Sequence, residues 1–398
     1  MTRRLEEIIM GTGTHRTGKR LLAVLPALVA GVAMSAAADA RQLNFAIGYA
    51  DGSLGADAAN RYADALEEYS GGELTARVFP RSLLEFDESS TGLRDGTADS
   101  SILLLPYFPS EYPSSNLAAE LSMLLEVGGE SVDKSGLAYG GAMSEFIFHH
   151  CPECHDEFRA QNQVFAGSAA TSPYYLLCNG EVTSSDDLSG KRMRVGGAQW
   201  SRWVREMGAS PVSLSQHETY EALSQGAVDC SVHSTPELTI VNLIEVIEDI
   251  TVDMPGGVFG GVGSNNLNMQ TWQSLDGDQR EALMRASAVM SAEMSWVYEQ
   301  GHQENMQKVR DMDKITVHEP DDGLVDDTVA FIEADMERIA ENYRENHGVE
   351  RAEEMIEDFR GILEEWIERV QGVDSSDELA RLYWDQVFSR VDLESYGE

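Results

Sequence analysis

A single arginine, Arg194, stands inside the short apolar run that follows the turn Gly190-Lys191-Arg192, with Trp200 and Trp203 a few residues on. A guanidinium presents a planar fork of donors that a carboxylate accepts with both oxygens. At the carboxyl end of a parallel strand such a fork faces the crevice where open α/β sheets receive ligands, so the chemistry it suggests is capture of an organic anion. The competing reading is a surface arginine paired with one of the chain's many acids. A second motif, His149-His150-Cys151-Pro152-Glu153-Cys154-His155, contains the C-x-x-C-H pattern of c-type haem attachment, and its histidines suit zinc equally well. Against haem, no small cytochrome-like domain surrounds the motif; against zinc, no second compact ligand cluster accompanies it. The four cysteines (Cys151, Cys154, Cys178, Cys230) make two disulfides more simply if the chain is exported, with three connectivities open. We therefore expect disulfides and no cofactor, with an exported metal- or haem-binding redox protein as the alternative.

Other catalytic patterns are weak. Gly256 to Gly263 is glycine-rich but lacks the strand-to-helix setting of a dinucleotide fingerprint, and suits a place where two backbones cross closely. No serine has the spacing of a nucleophile elbow, and paired carboxylates mean little among 68 acidic residues. The chain does not read as an enzyme.

The elements that must hold Arg194 are legible over residues 186–230. A short strand carries Arg194, a helix follows with Trp200, Trp203, Val204 and Met207, then a turn at Gly208 to Pro211, a strand at Val212 and Leu214, a second helix, and an apolar strand at Ala227 and Val228. This is an α/β unit with short connections. Upstream, Leu43 to Gly48 alternates as a strand, residues 56–69 form a helix with Ala58, Tyr62, Ala65 and Leu66 on one face, and Gly71-Gly72 closes it. Leu74 to Phe79 and Ser101 to Leu105 are the next strands. From Asp278 to about Asp313 a helical pattern runs with no proline and one glycine, Gly301. At ~1.5 Å per residue it would be about 50 Å long, enough to lie across two lobes. Amphipathic helices beyond Asp321 end in WDQVFSRVD, a tail expected to pack outside the cleft.

The N-terminus has the form of a secretory leader: Arg16, Lys19 and Arg20, the apolar run Leu21 to Met34, then Ala38-Asp39-Ala40 as an A-x-A cleavage site. Cleavage near Ala40 makes Arg41 the first mature residue. The apolar run is shorter than the about 20 residues a spanning helix needs. Glu6 and Glu7 are unusual in a basic leader, so translation starts at Met1 or Met10. The formal charge is −39, and removing the leader makes the remainder more acidic still. Such a surface repels nucleic acid and anionic lipid and suits a saline habitat. An anionic ligand must then be held by local positive potential, which adds weight to Arg194.

Five segments, SGGELTARVFP (70–80), GLRDGTADSS (92–101), DLSGKRMRV (187–195), GASPVSLSQHETYEALSQGAVD (208–229) and WQSLDGDQREALMRAS (272–287), resemble in order and spacing the extracytoplasmic solute-binding proteins of TRAP (tripartite ATP-independent periplasmic) transporters, the C4-dicarboxylate-binding type. The resemblance implies an α/β, periplasmic-binding-protein-like fold with two α/β lobes around a central ligand cleft, a long helix bridging both lobes and a helical C-terminal tail. We divide the chain into a cleaved signal peptide (1–40), lobe I (41–170 plus about 258–290), and lobe II with the C-terminal helices (171–257 plus about 291–398).

By the same resemblance Arg194 is the arginine that holds the ligand carboxylate. His233 occupies a position where relatives often carry an asparagine, and Tyr174 one where many place a second arginine. One cation fewer favours a monocarboxylate over a dianion, with Tyr174 donating or stacking. Trp200 and Gln216 fall at further cleft-lining positions, and Phe86, Tyr107 and Tyr49 are aromatic candidates from lobe I. The expectation is a periplasmic monomer that captures a small organic acid and delivers it to the small and large TRAP membrane permease subunits, with no nucleic-acid partner. A binding protein that feeds a sensor is the remaining alternative.

Overall fold

The computed structural model describes residues 40–127, 132–254 and 256–397; apart from Ala40, the expected leader lies outside the described residues. The first sheet begins where the sequence alternates, at Arg41–Ile47, which pairs in parallel with Leu74–Pro80 on one side and Ser100–Leu104 on the other. Val262–Asn268 continues the sheet antiparallel to Ser100–Leu104, and Gln163–Phe165 and Ser168–Ala169 both pair with its far edge. The helix between the first two strands, Leu54–Tyr69, starts where the Ser53 hydroxyl accepts from the Ala56 N–H (3.3 Å). It buries Ala58, Tyr62, Ala65 and Leu66, the face read from its spacing.

The second sheet runs in the order Thr316–His318, Asp249–Thr251, Tyr174–Cys178, Cys230–Ser234, Arg192–Val195, Ser210–Ser213. Arg192–Val195 is parallel to both of its neighbours, so the strand–helix–strand–helix–strand unit forms as expected, with helices at Ala198–Glu206 and Thr219–Ser224. Two boundaries differ: the middle strand, Ser210–Ser213, takes in Pro211 of the expected turn and stops short of Leu214. Ala227 and Val228 are not strand residues; both backbone N–H groups bond back to the Ala222 carbonyl. Gly226, at φ 64°, closes the preceding helix, and the strand starts only at Cys230.

A capping box at Asp276 and Gln279 starts the long helix, Gly277–Arg310, of 34 residues. Its small-residue face meets the first sheet, where Ser287 Oγ accepts from Asn265 Nδ2 (2.8 Å) and Ser291 shares a hydroxyl bond with Ser264 (2.8 Å). Farther along, Asn305 Nδ2 donates to the Thr235 carbonyl (3.0 Å), and Val309 enters the second core with Leu177, Leu238 and Ile250. One helix thus belongs to both cores. Among the C-terminal helices, Ala352–Arg369 packs on Ser135–His149, and Ser376–Gln386 on the long helix. Among the described residues no helix is long and apolar enough to cross a membrane.

The cysteines pair as Cys151–Cys154 and Cys178–Cys230. The second bond closes a position where the two strands stand in direct register. Both sulfurs of the C-x-x-C-H motif are bonded to each other, so neither is free as a thiolate ligand or for thioether attachment.

Candidate functional site

The crossings between the sheets, after Ala169 and before Val262, bring the strand ends of both sheets to one small, closed cavity of about 20 Å³. That is room for about one water, so a ligand is admitted only when the sheets part. Six of the eight residues singled out in the sequence line it: Tyr49, Tyr107, Tyr174, Arg194, Gln216 and His233. Phe86 and Trp200 stand behind the wall. Phe86 lies over Gly48, where an added Cβ would fall 2.5 Å from its ring, and meets Tyr49 edge-on at 4.9 Å. Trp200 stacks flat against Tyr174 (4.4 Å between centroids, 14° between planes) and donates its indole N–H to the Gly256 carbonyl (2.7 Å). Each therefore fixes a tyrosine that reaches the cavity. The glycine-rich segment does cross closely, since a Cβ at Gly256 would meet the Tyr174 carbonyl oxygen at 2.3 Å.

Arg194 is the third residue of its strand and only 2% exposed. Its Nε donates to the Leu214 carbonyl (3.0 Å), and Gly196 leaves room for the guanidinium, which lies 3.2 Å from where a Cβ would sit. Nη1 is buried with no hydrogen-bond partner among the described residues. The Gln216 Nε2 is likewise unpartnered, while its backbone N–H donates to the Tyr107 hydroxyl (3.3 Å). Burial, reinforced by the charge of Arg194, holds the His233 pKa well below its ordinary value, so the imidazole is neutral. Burial also raises the phenols of Tyr49, Tyr107, Tyr174 and Tyr298, which stay protonated donors.

Two contributors were not singled out in the sequence. Glu237, 2% exposed, begins the short helix after Cys230–Ser234 and accepts from the Tyr298 hydroxyl through Oε1 (3.1 Å); Oε2 has no partner among the described residues. Burial pushes its pKa up to about 7, against the pull of the Tyr298 hydrogen bond and of Arg194. Tyr298, on the long helix, shares a further hydroxyl bond with Tyr49 (3.1 Å). Thr171, Phe259, Leu104 and Val262 complete the lining.

Two α/β lobes spanned by one helix thus place a buried cation at the crevice between their sheets, where open α/β sheets receive ligands. Residues 175–346 match the model of the bacterial extracellular solute-binding proteins, family 7. The chain is similar to a solute-binding protein of Albidiferax ferrireducens (22% identical over 230 residues, 58% of this chain and 64% of the relative). It therefore spans less than two thirds of that relative's length. Among solved structures it shares its fold with a TRAP periplasmic solute-binding protein from Desulfovibrio salexigens in an open complex (TM-score 0.67, 20% identity, 85% of this chain and 98% of that one). It also resembles the Bordetella pertussis receptor DctP7, which binds pyroglutamic acid (TM-score 0.65, 16% identity, 81% and 100% covered). A Bordetella bronchiseptica TRAP protein with bound (R)- and (S)-mandelate aligns similarly (TM-score 0.67, 18% identity, 81% and 99% covered).

Proposed function

We propose that this protein is the extracytoplasmic receptor of a TRAP transporter: it takes one small organic acid into the cavity between its sheets and hands it to the small and large membrane permease subunits. The observation that carries this reading is Arg194, buried with an unpartnered nitrogen at the cavity wall. A charge taken out of water is costly unless it is paired. A ligand carboxylate is the partner its planar fork fits. The other donors, the phenols, the neutral His233 and the Gln216 amide, are uncharged, which favours a monocarboxylate. That two structural relatives bind pyroglutamic acid and mandelate supports the same class, since both ligands are small monocarboxylates.

In this reading the protein works in the periplasm as a monomer after cleavage near Ala40, and binds without catalysis. The lobes divide as 41–170 with about 258–290, and 171–257 with about 291–398. Thermal-shift screening against small carboxylates, followed by calorimetry, tests the assignment. At least one monocarboxylate should raise the melting temperature, and Arg194→Ala should abolish that shift. A panel in which no carboxylate stabilises the wild type would overturn it.

A further inference from the structure

Arg194 and Glu237, a base and an acid, wall the same cavity, yet no side-chain nitrogen of the one lies within 4.0 Å of a carboxyl oxygen of the other. Each keeps one polar atom, Arg194 Nη1 and Glu237 Oε2, buried and unpartnered among the described residues. Pairing with each other would relieve both deficits. They are instead held apart by separate anchors, the Leu214 carbonyl for the guanidinium and the Tyr298 hydroxyl for the carboxylate. The gap between them has a definite polarity. It accepts an anion at one end and a donor at the other.

A bare monocarboxylate satisfies only the Arg194 end. It leaves Glu237 without a partner, and its negative charge opposes ionisation of that carboxyl in a dry site. A hydroxyl on the ligand would fill the vacant hydrogen bond but give the ionised form of Glu237 no opposite charge. A cationic N–H group does both. The walls on that side carry no competing cation, since Tyr49, Tyr174 and Tyr298 line the same cavity as protonated phenols. We infer that the ligand is a zwitterion, a small amino-acid-like molecule whose carboxylate lies on Arg194 and whose cationic N–H group lies on Glu237. The inference rests on the reading of Arg194 as the carboxylate anchor and adds Glu237 as the residue that sets ligand class.

The test uses isosteric pairs in which carbon replaces the charged nitrogen: L-proline against cyclopentanecarboxylate, L-alanine against isobutyrate, and phenylglycine against 2-phenylpropanoate, with mandelate and pyroglutamate as acids carrying a neutral donor. Each is titrated into the wild type, Glu237→Gln and Arg194→Ala by thermal shift and calorimetry, with circular dichroism to verify folding. The zwitterion of at least one pair should bind the wild type more tightly by roughly 10- to 100-fold, the range of a hydrogen bond to a charged group. Glu237→Gln, close in shape, should erase that preference while leaving the carbon isostere's affinity unchanged or improved. If the carbon isosteres, mandelate or pyroglutamate bind best and Glu237→Gln does not weaken the zwitterions, the inference fails while the carboxylate reading stands. If no member of any pair binds and none of the acids does, both fall together.

Discussion

The backbone N–H of Gln216 donates to the phenol of Tyr107 across 3.3 Å, and this bond ties the second sheet's rim of the cavity to the first sheet's. Tyr107 follows Ser100–Leu104, and Gln216 follows Ser210–Ser213, so the contact exists only while the two rims are together. A ligand that touches both rims selects that closed arrangement. Small-angle scattering should show a smaller radius of gyration when a stabilising ligand is added. Tyr107→Phe removes one hydrogen bond of the closed form, worth about 0.5–1.5 kcal/mol, and should weaken binding roughly 2- to 13-fold. A scattering profile unchanged at saturation would count against closure.

Truncating Arg194 should have the largest effect on affinity. The guanidinium is dry, and removing one member of a buried, hydrogen-bonded charge pair costs about 2–5 kcal/mol, roughly 30-fold to several thousand-fold. Arg194→Lys should recover only part of this, because an ammonium keeps the charge and loses the fork. Gln216→Ala should cost less, about 0.5–1.5 kcal/mol. Calorimetry with the acid found by screening makes the comparison. Arg194→Ala binding within a small factor of wild type would show that the arginine does not hold the ligand.

Arg202 makes a separate, structural prediction. It donates through Nη1 to Glu120 (2.7 Å) and through Nε to Asp335 (3.0 Å), and so joins the helix after the Arg194 strand to the helices Pro113–Glu120 and Asp322–His347. Asp335 is fully buried and Glu120 nearly so. Arg202→Ala strands two buried carboxylates, and breaking such a pair from one side costs about 3–5 kcal/mol. A melting temperature within a degree of wild type at neutral pH would contradict this.

What the sequence made legible follows the range of the forces involved. The helix Leu54–Tyr69 and the unit around Arg194 were readable because capping, glycine stops and apolar spacing are local. Glu237 was not, because one acid among 68 carries no signal until a strand end turns it into a closed cavity. Tyr298 sits mid-helix, where spacing marks burial and says nothing about what the hydroxyl meets. Phe86 and Trp200 were recognisable as aromatics near the cleft, but whether such a ring forms the wall or backs it depends on packing across the sheets. Cysteine pairing has the same cause. Three connectivities are open until the register of Tyr174–Cys178 on Cys230–Ser234 sets Cys178 opposite Cys230.

The two disulfides should differ in weight. Cys178–Cys230 closes a loop with a sequence separation of 52, and Cys151–Cys154 one of only 3. Loop-closure entropy predicts about 4 kcal/mol for the first and about 2 kcal/mol for the second. Cys178→Ala/Cys230→Ala should therefore lower the midpoint of denaturant unfolding more than Cys151→Ala/Cys154→Ala. Thiol titration of the unfolded, unreduced protein should find no free thiol. Free thiols in that assay would overturn the pairing.

Glu237 gives the last prediction, on pH. Its folded pKa, about 7, stands above the ordinary value of 4.5, because burial disfavours the carboxylate more than Tyr298 and Arg194 favour it. The folded state therefore binds the proton more tightly than the unfolded state does. Stability from this group is fully present below about pH 4.5 and is lost as pH rises through about 7, a change on the order of 3 kcal/mol. His233, also facing Arg194, works in the opposite sense. Its lowered pKa makes stability rise with pH up to the ordinary histidine range. The two are separated by comparing wild type with Glu237→Gln, which keeps His233, Arg194 and the four tyrosines. Denaturant unfolding at half-unit pH steps should show the variant gaining on wild type between pH 4.5 and 7, then holding a constant lead. Parallel curves across that window would mean that Glu237 stays ionised in the folded protein throughout.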